Sequence, residues 1–142
     1  ILTIGRIVAA EDKAQKLVDG YKKQLDKCRE NSDKIKNKPK IYFEEWDDPT
    51  FSGIRWVSEL IEIAGGEDIF SNKSHGKLAM EREIQWSDVI EKNPDVILAS
   101  WCGKPVDIDS IKKREGWNQI TAIKNNRIHE IDSSIILQPG PA

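Results

Sequence analysis

Hydrophobic and polar positions follow a helical period in the first quarter of the chain. Between residues 10 and 35 the apolar side chains recur every three or four positions, which predicts one long amphipathic helix with a solvated polar face. Asn37 and Pro39 end this pattern, because proline disfavours helix in the residue before it. The apolar positions are Ala14, Leu17, Val18, Tyr21, Leu25 and Cys28. Cys28 is expected to be a small buried hydrophobe.

Short β-type runs alternate with helical patterns through the rest of the chain. The alternation predicts an α/β fold with a mainly parallel sheet. The run at 95–99 is the most apolar of the strands and is therefore expected at the centre of the sheet. The predicted strands are 40–44, 95–99 and 127–131, and the predicted helices are 54–64, 87–92 and 109–114.

Small and polar residues mark the expected helix ends. Gly65-Gly66 is a C-terminal stop for the helix at 54–64, and Asn93-Pro94 ends the next one. Ser87 is the expected N-cap of that second helix, and either Asp107 or Asp109 is the expected N-cap of the third. Between them, residues 68–84 form a polar, irregular crossing.

Length and charge exclude several classes of protein. A chain of 142 residues forms one domain. Its 22 basic and 24 acidic residues give a net charge of −2, so a nucleic-acid partner, which needs a clustered basic excess, is not predicted. No apolar run is long enough to span a membrane. Zinc-type ligand spacing, a phosphate-binding loop and a dinucleotide fingerprint are absent from the sequence, so neither a metal site nor a cofactor is predicted.

Acidic and aromatic residues follow the first predicted strand, as Glu44, Glu45, Trp46, Asp47 and Asp48. Ligands of open α/β sheets bind at the carboxyl ends of the strands. Two adjacent carboxylates can divide acid and base roles only where their environments move their pKa values apart. The tryptophan offers a broad apolar face and one N–H donor for binding instead. A solvated loop with a packed tryptophan is the third possibility.

A second group, Ser100-Trp101-Cys102-Gly103, follows the predicted central strand. As a nucleophile Cys102 would need a base, normally a histidine, and the only two are His75 in an irregular segment and His129 in a strand pattern. Cys102 is also a candidate metal ligand. Trp101 is expected either to stack on a flat ligand or to pack under its own loop.

The five tryptophans divide into two sets by their positions. Trp56 and Trp117 fall in helical or packing patterns and are predicted core residues. Trp46, Trp86 and Trp101 lie at or near predicted strand ends, where a large flat ligand would be held.

The ordered series of segments resembles the C-terminal lobe of the substrate-binding proteins of ABC importers for cobalamin and ferric siderophores. The resemblance extends from Ile4-Gly5-Arg6 to residue 141. It implies a three-layer α/β sandwich preceded by a long backbone helix between two lobes. Residues 1–38 would then be the interlobe helix and 39–142 the C-terminal lobe, with the protein continuing beyond both ends. The segments that carry it are KIYFEEW (40–46), IEIAGGEDIF (61–70), NPDVIL (93–98) and GWNQITAIKNNRIHEI (116–131).

The resemblance also implies a function without catalysis. A large chelate, with a corrinoid such as cobalamin favoured, is captured between the lobes on the outer face of the cell membrane. It is then delivered to a permease and its ATPase, and the membrane is reached only through that permease or through a lipid anchor outside this chain. The implied ligand-binding residues are Trp46, Phe51, Trp101, Cys102 and Glu45.

The same family places a permease-docking glutamate near the start of the helix predicted at 87–92. That position falls on Ser87 in this sequence. Asp88 and Glu83 are the acidic residues that can replace it, and a merely solvated charged turn is the alternative. The docking residues are therefore expected among Glu83, Ser87 and Asp88.

Three further interpretations stay open at this point. The same transport role could serve a ferric siderophore or heme. A two-lobed α/β enzyme with a metal cofactor would use Cys102 as a ligand. A response-regulator module would need its phosphoacceptor among Glu44, Glu45, Asp47 and Asp48.

Overall fold

The computed structural model describes residues 1–138. Seven helices and five strands alternate along these residues, and single 3-10 turns lie at Ala79–Arg82 and Trp117–Gln119. The helices are α1 (Leu2–Ile7), α2 (Glu11–Ser32), α3 (Arg55–Ile63), α4 (Trp86–Lys92), α5 (Ile108–Lys112), α6 (Thr121–Lys124) and α7 (Ser133–Ile136). The strands are β1 (Lys40–Asp47), β2 (Thr50–Ser52), β3 (Glu67–Asp68), β4 (Val96–Ala99) and β5 (Ile128–Glu130).

The five strands form one sheet in the order β2-β1-β4-β5, with β3 also paired to β1. β1 pairs in parallel with β3 and β4, and β4 pairs in parallel with β5. Only the short hairpin strand β2 is antiparallel to β1. The predicted mainly parallel sheet is therefore confirmed, and the apolar strand at 96–99 lies inside it between β1 and β5.

Two hydrophobic clusters lie on opposite faces of the sheet, because successive side chains of a strand point to opposite sides. Tyr42 belongs to one cluster, together with Ile97 and side chains of α4, α5 and α6. Phe43 belongs to the other cluster, together with side chains of α3 and the end of α7. This arrangement of helices on both faces is the three-layer sandwich that the sequence predicts.

The long N-terminal helix is confirmed as α2, but most of its apolar stripe is not buried. Ala14 is buried, whereas Leu17 is 43% exposed and Tyr21 and Cys28 are also exposed. The expectation that Cys28 is a buried hydrophobe is therefore wrong for this chain, because this position of the helix faces the solvent.

The helix ends confirm most of the predicted signals and correct one of them. Asn93 ends α4 in the left-handed region with φ 47°, and Gly65 follows α3 with φ 91°. Asp107 caps α5 by accepting a hydrogen bond from the Ser110 N–H at 2.9 Å. Ser87 is not the N-cap of α4, since the helix already begins at Trp86 with residue 85 before it.

One of the predicted core tryptophans is on the surface. Trp117 is fully buried as expected, but Trp56 is 37% exposed, and its Nε1–H donates to the Ile136 carbonyl at 2.9 Å. Trp56 comes early in α3, one position before the buried Val57, so it covers the edge of α7 rather than the sheet. The end of the segment covered by the family resemblance, residues 139–141, lies outside the described residues. Among residues 1–138 no helix is long and apolar enough to cross a bilayer.

Candidate functional site

The carboxyl ends of β1, β4 and β5 lie side by side because these strands are parallel neighbours. β1 leads into the tight hairpin to β2, and β4 leads into the loop 100–107. The Ser100 N–H donates to the Glu44 carbonyl at 2.9 Å, which holds the start of that loop against β1. The two segments that the sequence singled out, 44–48 and 100–103, therefore meet at one edge of the sheet.

Lys104 joins these two loops. Its Nζ donates to both carboxylate oxygens of Asp47, at 2.9 and 3.1 Å. The same Nζ lies 4.4 Å from the centre of the Trp46 ring and 4.7 Å from the centre of the Trp101 ring. An ammonium at these distances is attracted by the negative face of an indole ring. The sequence-based prediction missed Lys104, although it lies two residues after Cys102.

Trp46 and Phe51 form the aromatic part of the edge. They are register partners across the β1–β2 hairpin, and partners in an antiparallel pair share one face of the sheet. Both side chains are half-buried, and the Trp46 Nε1–H donates to the Asp48 carbonyl at 3.1 Å. The turn between the strands contains a cis peptide bond before Pro49.

Glu45 is engaged in a two-point ion pair with Arg82. The guanidinium donates to its two carboxylate oxygens at 2.6 and 3.0 Å, and also to the Ser52 carbonyl at 2.6 Å. Only 6% of the Arg82 side chain is exposed. The pair therefore fastens the irregular crossing 68–84 to the edge, and Glu45 meets the solvent with its remaining surface.

Glu44 is fully buried and has four hydrogen-bond donors. Arg114 donates to both carboxylate oxygens, one of them at 2.9 Å, and the Tyr42 hydroxyl and the Trp101 Nε1–H donate at 3.0 and 3.1 Å. Burial, and then the nearby Glu44 charge, raise the pKa of the Tyr42 hydroxyl well above its ordinary value. Glu44 and Glu45 therefore bind two different arginines and do not form an acid–base pair or an acidic phosphoacceptor pocket.

Arg114 contacts two indole rings, with its guanidinium carbon 4.8 Å from the centre of the Trp86 ring and 4.5 Å from that of Trp117. Neither Arg114 nor Arg82 was predicted as part of this region. A single arginine at the end of a predicted helix carries no sequence signal for a partner in a distant strand.

Trp101 and Cys102 are placed very differently although they are adjacent. Only 4% of Trp101 is exposed, and Lys104 covers one of its ring faces. Cys102 is an exposed free thiol. Among residues 1–138 no three His, Cys, Asp or Glu side chains are grouped closely enough to hold a metal ion, so Cys102 has no described partners for the metal-enzyme interpretation.

The three candidate docking residues lie beside the hairpin, at the start of α4. Glu83 is half-buried and Ser87 is exposed, and both line a shallow pocket of about 320 Å³ with Asp48, Pro49 and the indole of Trp86. The Asp88 carboxylate accepts the Gln85 N–H at 3.4 Å and so belongs to the cap of the helix. The pocket is continuous with the hairpin because the backbone of Phe51 pairs with that of Glu83.

Comparison with known proteins agrees with this arrangement. A profile of the periplasmic binding protein family matches residues 1–135. An uncharacterised ABC transporter substrate-binding lipoprotein, YvrC of Bacillus subtilis, is 28% identical over 97% of this chain and 43% of its own length. A vitamin B12-binding protein of Vibrio campbellii is 28% identical over 88% of this chain and 43% of its own length.

Solved structures include a possible iron-binding, periplasmic solute-binding protein of Staphylococcus epidermidis, with 27% identity and a TM-score of 0.80. That match covers 99% of this chain and 54% of the other. The chain spans less than half the length of the curated relatives just described. Because the profile covers nearly the whole chain, this protein belongs to the periplasmic binding protein family, whose members are binding proteins and not enzymes.

Proposed function

We propose that this chain is the C-terminal lobe, with its interlobe helix, of the substrate-binding component of an ABC importer. In this proposal residues 1–38 connect to the other lobe and residues 39–142 form one wall of the cleft. A large metal chelate is captured between the lobes and delivered to a membrane permease driven by an ATPase. The observation that carries the proposal is the pair Trp46 and Phe51, which lie on one face of the hairpin at the carboxyl edge of the sheet.

The favoured ligand is a corrinoid such as cobalamin. Large ligands are held by apolar and aromatic surface with a few polar groups that fix orientation, and the edge offers both. A Vibrio relative is named a vitamin B12-binding protein, which supports this choice. The S. epidermidis relative is described as possibly iron-binding, so a ferric siderophore or heme is the second candidate for the same transport role.

The proposed ligand-binding residues differ in how accessible their side chains are from the cleft. Trp46 and Phe51 present half-buried aromatic rings, and Cys102 lies exposed on the neighbouring loop. Trp101 reaches the ligand only when Lys104 leaves its ring face. Glu45 contributes from its pair with Arg82 and mainly holds the edge in shape.

The proposed place of action is the periplasm or the outer face of the cell membrane. The named lipoprotein relative favours attachment of the carrier to the membrane surface. The permease is expected to contact the surface around Glu83, Ser87 and Asp88, next to the cleft.

Tryptophan fluorescence of the full-length protein tests the ligand assignment. Cyanocobalamin, a ferric hydroxamate siderophore and heme are titrated separately, each corrected for its own absorption. We expect saturable quenching by cyanocobalamin and at least about a tenfold loss of affinity in Trp46→Leu, since a desolvated aromatic contact is a typical binding hot spot. The matched control is Trp56→Leu, which removes an exposed tryptophan of α3 away from this edge and should keep the affinity.

Quenching by an iron chelate alone would keep the transport role and change the ligand. Absence of saturable quenching with all three compounds would contradict the proposed chelate carrier. Equal losses in Trp46→Leu and Trp56→Leu would contradict the placement of the cleft at the hairpin.

A further inference from the structure

The ammonium of Lys104 occupies a cage formed by side chains of two loops. The cage consists of the ring faces of Trp46 and Trp101 and the carboxylate of Asp47, and we call it the Lys104 cage. Two indole faces and one anion around a positive charge are the arrangement with which proteins recognise ammonium groups of ligands. The occupant here is a residue of the same chain.

Lys104 is held loosely enough to be replaced. Its side chain is 41% exposed. An exposed lysine–carboxylate ion pair shifts the equilibrium between the paired and the free side chain by no more than about fivefold. The residue also follows Gly103, which has a positive φ of 77° and open space around it. Displacement of Lys104 gives up this ion pair and two cation–π contacts, which an ammonium group of a ligand would regain in the same cage.

The surroundings of the cage are acidic on the other side of Lys104 as well. Lys104 lines a pocket of about 250 Å³ with Glu130 and Asp132. Within residues 1–138 neither carboxylate forms an ion pair with a lysine or arginine. Glu130 accepts the Val106 N–H and Asp132 accepts the Ser134 N–H, at 3.0 and 2.8 Å. The hydrogen bonds to Ser134 lower the pKa of the Asp132 carboxyl from its ordinary value.

We infer that the Lys104 cage is a subsite for a positively charged group of the ligand, and that Lys104 fills it while the cleft is empty. The inference rests on the proposed cleft and adds a charge class to its ligand. Chelates with a cationic group, or with no net charge, are favoured at this edge. Chelates with several negative charges are repelled by Asp47, Glu130 and Asp132.

The cage is tested first without any chelate. Choline and its neutral isostere 3,3-dimethylbutan-1-ol are titrated into the ¹⁵N-labelled full-length protein, and the indole N–H signals of Trp46 and Trp101 are followed by NMR. We expect choline to shift both signals saturably, with an affinity at least about fivefold above that of the isostere, as cation–π attraction predicts.

Lys104→Ala removes the internal occupant and should strengthen choline binding several-fold, while Lys113→Ala, an exposed lysine after α5, should leave it unchanged. Adding Asp47→Asn to Lys104→Ala should reduce the preference for choline over the isostere. Equal shifts with both compounds, or none even in Lys104→Ala, would overturn the inference.

The ligand itself is tested with two iron chelates that differ by one charge. Ferrioxamine B carries a free ammonium group and its N-acetyl derivative does not. Tighter binding of the ammonium form, by about fivefold or more, supports the charge class, and equal binding overturns it for the ligand. If neither ferrioxamine binds but choline does, the cage stands, and chelate capture fails only if cyanocobalamin and heme also give no saturable quenching. If both chelates bind equally and choline does not bind, chelate capture stands and the cage fails.

Discussion

Glu44 shows how a single charged residue is kept in the core of this protein. A buried carboxylate is strongly destabilising unless it is paired and hydrogen-bonded. Glu44 receives two N–H groups from Arg114, the Tyr42 hydroxyl and the Trp101 indole N–H. The same bonds fix the start of the loop after β4, so a fully buried residue determines where Trp101 and Lys104 lie.

Replacing Arg114 with methionine should destabilise the protein strongly. The substitution leaves the Glu44 carboxylate buried without its counter-charge, and breaking such a pair from one side costs about 3–5 kcal/mol. The matched control is Arg55→Met, which breaks an exposed pair with Glu59 in α3 and should cost no more than about 0.5 kcal/mol. Urea denaturation followed by circular dichroism measures both free energies of unfolding. Equal losses for the two variants would show that the buried pair contributes no more than a surface pair.

At the scale of elements, two positions with positive φ require glycine for different physical reasons. A Cβ on Gly65, at the end of α3, would lie 2.6 Å from the Ile35 Cδ1 and 3.0 Å from the Ser32 Cβ, so this turn packs directly on the end of α2. Gly103 has a similar φ of 77°, but nothing lies within 4 Å of its Cβ position. Gly65 is needed both for its left-handed backbone and because a side chain there would clash with its neighbours. Gly103 is needed for its left-handed backbone alone.

Alanine at these two positions should therefore separate the two effects. Gly103→Ala should cost about 1–2 kcal/mol, the strain of a left-handed backbone for a residue with a side chain. Gly65→Ala should cost more by about 1–3 kcal/mol, since overpacking is added to the strain. Thermal and urea unfolding of both variants measure the difference. A smaller loss at Gly65 than at Gly103 would mean that the ends of α2 and α3 separate freely.

At the scale of the whole molecule, one edge of the sheet carries both proposed surfaces. The aromatic hairpin and the pocket at the start of α4 share Asp48 to Thr50, and Trp86 donates to the Thr50 hydroxyl at 2.9 Å. Ligand capture and permease docking would thus occur on adjoining faces. The exposed apolar positions of α2 come before the first strand in the sequence.

Charge reversal at Glu83 should separate docking from ligand binding. In Glu83→Arg an attraction to a basic permease surface becomes repulsion, so uptake should fall at least about fivefold while affinity in solution stays unchanged. Glu62→Arg, on the exposed side of α3, is the matched control and should transport normally. The measurements are uptake in cells that depend on the importer and fluorescence titration of the purified variants. Normal uptake by Glu83→Arg would remove Glu83 from the docking surface and leave Ser87 and Asp88 as candidates.

The sequence by itself determined the long helix, the main alternation of helices and parallel strands, and the sheet edge at which segments 44–48 and 100–103 meet, but not the short elements α1, β2, β3, α6 and α7. Helical and β periods report which face of each segment avoids water, and this local pattern does not depend on the rest of the fold. The long helix, the parallel strands and the position of Trp101 after β4 followed from it. The pattern predicts a first strand that ends at residue 44, before Trp46, whereas β1 continues to Asp47 and includes Trp46, because the hairpin with β2 extends its pairing. The ends of α3 and α4 followed from Gly65 and Asn93, which adopt a left-handed backbone there. The start of α4 did not, because capping at Ser87 was one of several possible starts.

Only the tertiary structure decided which of these polar and aromatic side chains are paired and which are free. Glu44 and Arg114 are 70 positions apart in the chain, and Trp101 and Glu44 are 57 apart. No local pattern reports such a pairing, since any of the charged residues can face solvent equally well in an isolated segment. Folding buries Glu44 at the edge of the sheet, pairs Glu45 with Arg82 and places the Lys104 ammonium over two indole rings. The physical reason is that the free energy of a charged group depends on its solvation and on its ion-pair and hydrogen-bond partners. Both are determined by the packing of the complete fold.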